Sequence, residues 1–289
     1  MTNIGFIGLG AMGLPMARRL AEAGHALFVT VHRNPEPAEE LRKLGAVVVE
    51  NAAEAAAACD VMITILPADP EMEAVLLDER VIEALQPGKI VLEMTSGSPE
   101  CFRNIAQVYE ARGIRLLDAP VSGGVAGAAN GTLTIMAGGD AGIIEETQDV
   151  LSVLSNKVIH VGEGGAGKAI KAINQMLAAV HMIAASEAIA LGEKLGVDLE
   201  KMHQVIAESS GGSYVFDKKY KMALEERFAP GFKMNLMIKD MRIALSEGEG
   251  IPMPIATAAY QMYHLASRTD GDSDYAAVSK IIRGTSGRT

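Results

Sequence analysis

Lys171, Asn174 and Gln175 have the residue types and spacing to do chemistry. They fall at i, i+3 and i+4, so on a helix they share one edge of two successive turns. A lysine beside two carboxamides is a compact set of proton and hydrogen-bond donors. A lone lysine near a helix start is more often a solvated side chain, so its meaning depends on what accompanies it. A second group is Gly8-Leu9-Gly10-Ala11-Met12-Gly13, a G-x-G-x-x-G pattern. Glycines at that spacing permit a tight turn and a close backbone approach, and the helix that follows presents its N-terminus to a pyrophosphate. A third is Ser122-Gly123-Gly124, whose hydroxyl and backbone N–H groups could cradle a substrate carboxylate. A plain glycine-rich loop would read the same way.

The residues after the second expected strand bear on the cofactor. An acidic residue there would bind the ribose 2′-hydroxyl of NAD. This chain has His32-Arg33-Asn34 instead. Arg33 can pair with a 2′-phosphate and meets no carboxylate in that run. NADP is therefore the expected dinucleotide, with NAD possible. The other reading of Arg33 is a turn residue ahead of Pro35.

The elements that must hold these groups follow from periodicity. A strand at 3–7 runs into the glycine turn, and the helix after it carries Met16, Ala17 and Leu20 on one side and stops at Gly24. Strands are expected at 27–31, 47–49, 61–66, 90–94, 133–137 and 158–161, alternating with helices. Leu66-Pro67 and Thr95-Ser96 then fall at the C-terminal ends of strands, where open α/β sheets bind their ligands. A long helix is expected over 166–195, about 45 Å at ~1.5 Å per residue. Its face of Ile170, Ile173, Leu177, Val180 and Ala184 is the expected packed side, with Lys171 on another edge. Beyond it the pattern is helical: 199–207, a helix entered from Phe232 that carries Lys239-Asp240, 255–266 and 275–282, with no strand. This predicts a dinucleotide-binding α/β domain over 1–162 and an all-α domain over 163–289, joined by the long helix. The tail from 284 is expected to fray.

Bulk properties narrow the classes. The 289 residues carry a formal net charge of −10, against a general nucleic-acid binder. No apolar run approaches the ~18 residues of a membrane span, and no secretory leader is expected at the start. Two cysteines, Cys59 and Cys101, stand in no metal or redox spacing. A reduced, cytoplasmic protein with no metal site is the expectation.

With these motifs assembled, the chain resembles the β-hydroxyacid dehydrogenase family over nearly its whole length. Gly5 to Gly13 is similar to the family's cofactor signature, Asp118 to Gly124 to its substrate motif, Gly165 to Gln175 to its catalytic motif, and Lys239-Asp240 to its C-terminal motif. The resemblance implies a Rossmann domain followed by a helical one. It implies hydride transfer between NAD(P) and a short 3-hydroxy acid or its semialdehyde, of the 3-hydroxyisobutyrate, tartronate semialdehyde or hydroxymethylglutarate kind. It makes Lys171 the proton donor and acceptor. Ser122, Gly123 and Gly124 would hold the substrate carboxylate, and Asn174 and Gln175 would orient the substrate. Lys239 would close the site with Phe232 and Asp240 nearby. Leu66, Pro67 and Ser96 would line the cofactor beside Gly8, Leu9, Gly10, Ala11, Met12, Gly13, His32, Arg33 and Asn34. It also implies a homodimer or homotetramer. The chain departs from the pattern in having Gln175 where many relatives have a second asparagine, Glu93 where aspartate is common, and Gly97-Ser98 in place of a more apolar pair. Imine reduction on the same scaffold is the second reading, against which Lys171 counts. A non-catalytic NADP-binding sensor is the third.

Overall fold

The computed structural model describes residues 1–284 and consists of two compact units, Met1–Lys171 and a second beginning at Ala172. The first is a Rossmann domain, the second is all helical, and one continuous helix joins them.

The first unit is built on a nine-stranded sheet: β1 (Asn3–Ile7), β2 (Ala26–Thr30), β3 (Val47–Val49), β4 (Val61–Thr64), β5 (Ile90–Glu93), β6 (Arg115–Asp118), β7 (Val121–Ser122), β8 (Leu133–Gly138) and β9 (Ser155–Gly162). The order is β3-β2-β1-β4-β5-β6-β8-β7, with β9 pairing β8. The run from β3 to β6 is wholly parallel, while β8 is antiparallel to β6 and β7 and parallel to β9. Its helices are α1 (Gly13–Glu22), α2 (Glu36–Arg42), α3 (Ala52–Ala58), α4 (Asp69–Leu76), α5 (Glu79–Ala84), α6 (Pro99–Ala111), α7 (Gly124–Asn130), α8 (Ala141–Glu146) and α9 (Gln148–Leu154). Every residue of β4 and β5 is buried, because helices cover both faces of the sheet and leave no polar side to alternate. One core contains Phe6, Met16, Leu20, Ile63 and Leu92, and the other contains Ile7, Met62, Val91, Ile105 and Tyr109. The chain order reverses beside β1, between β2 and β4. That is the switch point at which such sheets open a crevice.

Two strands in this unit were not expected from periodicity. β6 and β7 are short: β6 ends at Asp118, and β7 lies within the Asp118–Gly124 run that reads as loop. The run continues directly into α7, so the substrate motif is a strand end and a helix start rather than an open loop.

The joining helix is α10 (Ala166–Leu195). It is followed by α11 (Leu199–Ala207), α12 (Tyr214–Leu224), α13 (Met234–Glu247), α14 (Pro254–Asp270), a 3-10 turn (Tyr275–Val278) and α15 (Ser279–Ile282). Helix α12 was not expected. Ser213 caps it by accepting from the Phe216 N–H, and Val215, Phe216, Tyr220 and Ala223 bury its inner side. The second core gathers Ala179, Met182, Ala185 and Ile189 of α10 with Phe216, Met237, Met241, Tyr263 and Val278. Among the described residues after β9, the only β-type pairing is an isolated bridge between Lys233 and Asp274. The tail beyond residue 284 lies outside the described residues.

The packed side of α10 is not the one its large apolar residues suggest. Ile173 is 54% and Leu177 45% exposed, with Ile170, Leu191 and Leu195 also open, while Ala172, Ala179, Met182, Ala185, Ser186 and Ile189 are buried. The helix is apolar nearly all round, so periodicity does not select a face. Small residues admit close packing, and the edge that carries Lys171 and Gln175 is the buried one. The helix also corrects the expectation that nothing approaches a membrane-spanning length. Its most apolar 18-residue stretch has a mean hydropathy of 1.3, so the helix is long and apolar enough to cross by length and composition. A core helix meets the same criterion, and α10 supplies core residues to the second unit.

Candidate active site

The glycine turn begins where β1 ends. Gly8 has φ +105°, and a Cβ there would lie 2.2 Å from the Ile65 carbonyl oxygen. A Cβ on Gly13 would lie 1.8 Å from the Gly8 carbonyl, so α1 can start this close to the strand only with glycine. A Cβ on Gly10 would meet nothing within 4 Å. The outer glycines are thus used for packing, and the middle one faces open space over the N-terminal turn of α1. That is the shape a dinucleotide pyrophosphate requires. The residues present therefore fit the dinucleotide expected from the sequence.

Beyond β2, His32, Arg33 and Asn34 are all exposed. The Asn34 side chain turns toward its own chain and accepts from the Glu36 N–H at 3.1 Å. No ion pair involving Arg33 is formed among the described residues, and the residue lies three positions past the end of β2. Leu66 and Pro67 follow β4, and Ser96 follows β5. These two loops are tied together because the Leu66 N–H donates to Thr95 Oγ1 at 2.9 Å. Ser122 ends β7. Gly123 (φ +134°) and Gly124 (φ +62°) then turn the chain into α7, both in backbone regions that other residues avoid.

The start of α10 is fastened to the sheet. Asp118, at the end of β6, accepts from the Gly165 N–H at 3.0 Å and the Lys168 N–H at 2.9 Å, so its carboxylate caps the helix. Burial pushes the Asp118 carboxyl above the ordinary aspartate range, while the Lys168 ammonium and these two N–H groups oppose that shift. A Cβ on Gly167 would lie 2.3 Å from the Met136 carbonyl oxygen and 2.7 Å from Asp118 Oδ2, which explains the glycine. The Lys168 ammonium pairs with the Glu93 carboxylate and donates to the Thr95 carbonyl at 2.8 Å. Lys171 follows one turn later and is only 7% exposed.

In the second unit, Asn174 Nδ2 donates to Gln175 Oε1 at 3.1 Å, and Gln175 Nε2 donates to Asp240 Oδ2 at 2.9 Å. The Lys239 ammonium lies 2.9 Å from Asp240 Oδ1, an ion pair with side chains largely out of solvent. Four of the expected residues thus form one polar chain from α10 to α13. Phe232 sits ahead of α13, where its N–H donates to Asp274 Oδ2 at 3.1 Å. Asp274 also accepts from Lys219 Nζ and the Gly231 N–H, so this carboxylate holds the segment that carries Phe232.

Both cysteines are buried thiols. Burial, followed by the carboxylates of Asp69 and Glu73, pushes Cys101 up to about 12, so it stays protonated and is no nucleophile. Asp118, Thr95 and Lys168 were not singled out from the sequence for roles of their own, and Glu93 was noted only as a departure. The signal for Lys168 was available. A lysine in the first turn of an apolar helix opposes the helix dipole, so it needs a carboxylate partner.

This sheet, its switch point and its glycine turn define a dinucleotide-binding domain, and a helical one follows it. Residues 3–162 match the family profile described as the NAD-binding domain of 6-phosphogluconate dehydrogenase. Residues 165–282 match the one described as NAD-binding of NADP-dependent 3-hydroxyisobutyrate dehydrogenase. The chain is 38% identical to 2-(hydroxymethyl)glutarate dehydrogenase of Eubacterium barkeri, over 96% of this chain and 94% of that one. It is 35% identical to 2-hydroxy-3-oxopropionate reductase of Escherichia coli, covering 97% of each. The solved structure of Mycobacterium tuberculosis 3-hydroxyisobutyrate dehydrogenase with L-serine superposes with a TM-score of 0.90 at 34% identity, covering 98% of this chain and 99% of that one. The chain belongs to the NAD(P)-dependent β-hydroxyacid dehydrogenase family. It is an oxidoreductase acting on a hydroxy or oxo acid.

Proposed function

We propose that this protein is an NADP-preferring dehydrogenase of short 3-hydroxy acids, or reductase of the matching semialdehydes, of the 3-hydroxyisobutyrate or tartronate semialdehyde type. NADP when bound would supply or accept the hydride, with NAD as the weaker alternative. The glycine turn at Gly8 to Gly13 holds the pyrophosphate, and Arg33 reads the 2′-phosphate beside His32 and Asn34. Leu66, Pro67 and Ser96 line the nicotinamide side. Ser122, Gly123 and Gly124 hold the substrate carboxylate. Asn174 and Gln175, backed by Asp240 and Lys239, orient the rest of the substrate, with Phe232 beside it. Lys171 gives its proton to the carbonyl oxygen in reduction and takes the hydroxyl proton in oxidation. The protein works as a cytoplasmic homodimer or homotetramer.

The observation that carries this reading is the burial of Lys171. A solvated helix lysine has no reason to leave water. The withdrawal of Lys171 from solvent, on the helix edge it shares with Asn174 and Gln175, supports a proton-transfer role. Because it is buried, alanine would leave a void, and Lys171→Met is the better test. NADPH titration should show binding retained, while kcat with a panel of semialdehyde acids falls by at least about 100-fold. Near-normal turnover in that variant would return Lys171 to a structural role.

A further inference from the structure

Helix α10 begins with a lysine in an unfavourable place. Lys168 faces the positive end of its own helix and is completely buried, as is Glu93. Its ammonium meets three things: the Glu93 carboxylate, the Thr95 carbonyl at 2.8 Å, and the Phe102 ring with its centroid 5.5 Å away. Glu93 Oε1 in turn accepts from the Thr95 N–H at 3.0 Å and the Thr64 hydroxyl at 3.4 Å. Thr95 Oγ1 accepts from the Leu66 N–H at 2.9 Å. One ion pair therefore joins the first turn of α10, the end of β5 and the loop after β4.

Stability alone does not call for such a pair. Buried ion pairs can often be exchanged for apolar residues of similar volume without loss. A charged pair supplies direction, since the ammonium has one place to go and its reach fixes how the helix is rotated about its axis. Lys171 lies three residues on, so that rotation sets where its side chain begins. Ser96 and Leu66 flank the other end of the same network. A displacement of ~1 Å in reacting groups can lower a rate ~100-fold.

We propose that Lys168 and Glu93 are a positioning pair. They orient Lys171 through the backbone of α10, and they orient the Leu66 and Ser96 loops through Thr95. This rests on the reading of Lys171 as the proton-transfer group.

The test is the double variant Lys168→Met/Glu93→Leu, measured beside Lys171→Met and wild type. NADPH binding sites are counted by fluorescence titration, so that kcat refers to folded, binding-competent chains. The double variant should still bind NADPH, weakened by no more than about tenfold, because the glycine turn is untouched and the Leu66 and Ser96 loops meet only the nicotinamide side. Its kcat per site should fall at least about tenfold, with substrate KM moving less than about threefold. A kcat per site within about twofold of wild type would make the pair a packing feature and overturn the proposal. Loss of turnover in Lys171→Met with none in the double variant removes only the positioning role. Wild-type turnover in Lys171→Met removes both readings together. Should the double variant fail to fold, Glu93→Asp keeps both charges and shortens the reach by one methylene. A kcat at least about threefold lower at unchanged NADPH affinity then supports the pair, and an unchanged kcat overturns it.

Discussion

Arg33 is one residue whose setting makes a sharp statement. It stands exposed just past β2, without an ion pair among the described residues, and is our proposed reader of the 2′-phosphate. A charge-assisted contact of this kind contributes about 1.5–3 kcal/mol, or roughly one to two decades in affinity. Arg33→Asp removes the partner and adds a repelling charge. The ratio of kcat/KM for NADP over NAD should therefore fall by at least about tenfold. Steady-state kinetics with both dinucleotides measures this, and an unchanged ratio would show that Arg33 does not read the 2′ position. Lys171 belongs to the same scale. Its burial separates it from the many surface lysines of an acidic protein.

The element that organises the site is the first turn of α10. Asp118 caps it, Lys168 anchors it to β5, and Gly167 lets its backbone lie against the Met136 carbonyl of β8. Two effects act in opposite directions at Gly167. Alanine is the better helix former by about 1 kcal/mol. Against that, a methyl 2.3 Å from a backbone oxygen forces either the helix or the strand to move. Overpacking of this kind costs about 1–3 kcal/mol. Gly167→Ala should therefore lower stability despite its propensity, which a urea denaturation midpoint would show. A variant more stable than wild type would mean that α10 is not held this close. Turnover should fall as well, because Lys171, the proposed proton donor, is carried one turn further along the same helix.

At the scale of the whole molecule, the outer side of α10 remains apolar. Ile173, Leu177, Leu191 and Leu195 are all exposed in the single chain. A homodimer or homotetramer would be favoured by covering such residues, since removing apolar surface from water is what drives association. Light scattering should therefore give two or four times the chain mass of 30.4 kDa. Leu177→Glu should shift the distribution toward the monomer. A monomeric wild type at micromolar concentration would end the oligomer proposal.

The parts of this protein that local residues determine were legible in the chain itself. The glycine turn, the strands at Asn3–Ile7 and Val47–Val49, and the helices at Ala166–Leu195 and Leu199–Ala207 all follow from periodicity and stop signals acting over a few neighbours. So did the order of an α/β domain and then a helical one. Strand β6 was not legible because Arg115-Leu116-Leu117-Asp118 puts a charged residue at each end of a single apolar pair, and β7 because its two residues carry no pattern of their own. The packed face of α10 was not legible either. An almost uniformly apolar helix has no preferred side until neighbours of a given shape lie against it, and the side chosen was that of alanine, serine and the buried lysines. The pairing of Lys168 with Glu93 spans 75 residues of chain, and the capping of α10 by Asp118 spans 50. Partners that far apart are chosen by the path of the sheet, so only the tertiary structure could decide them.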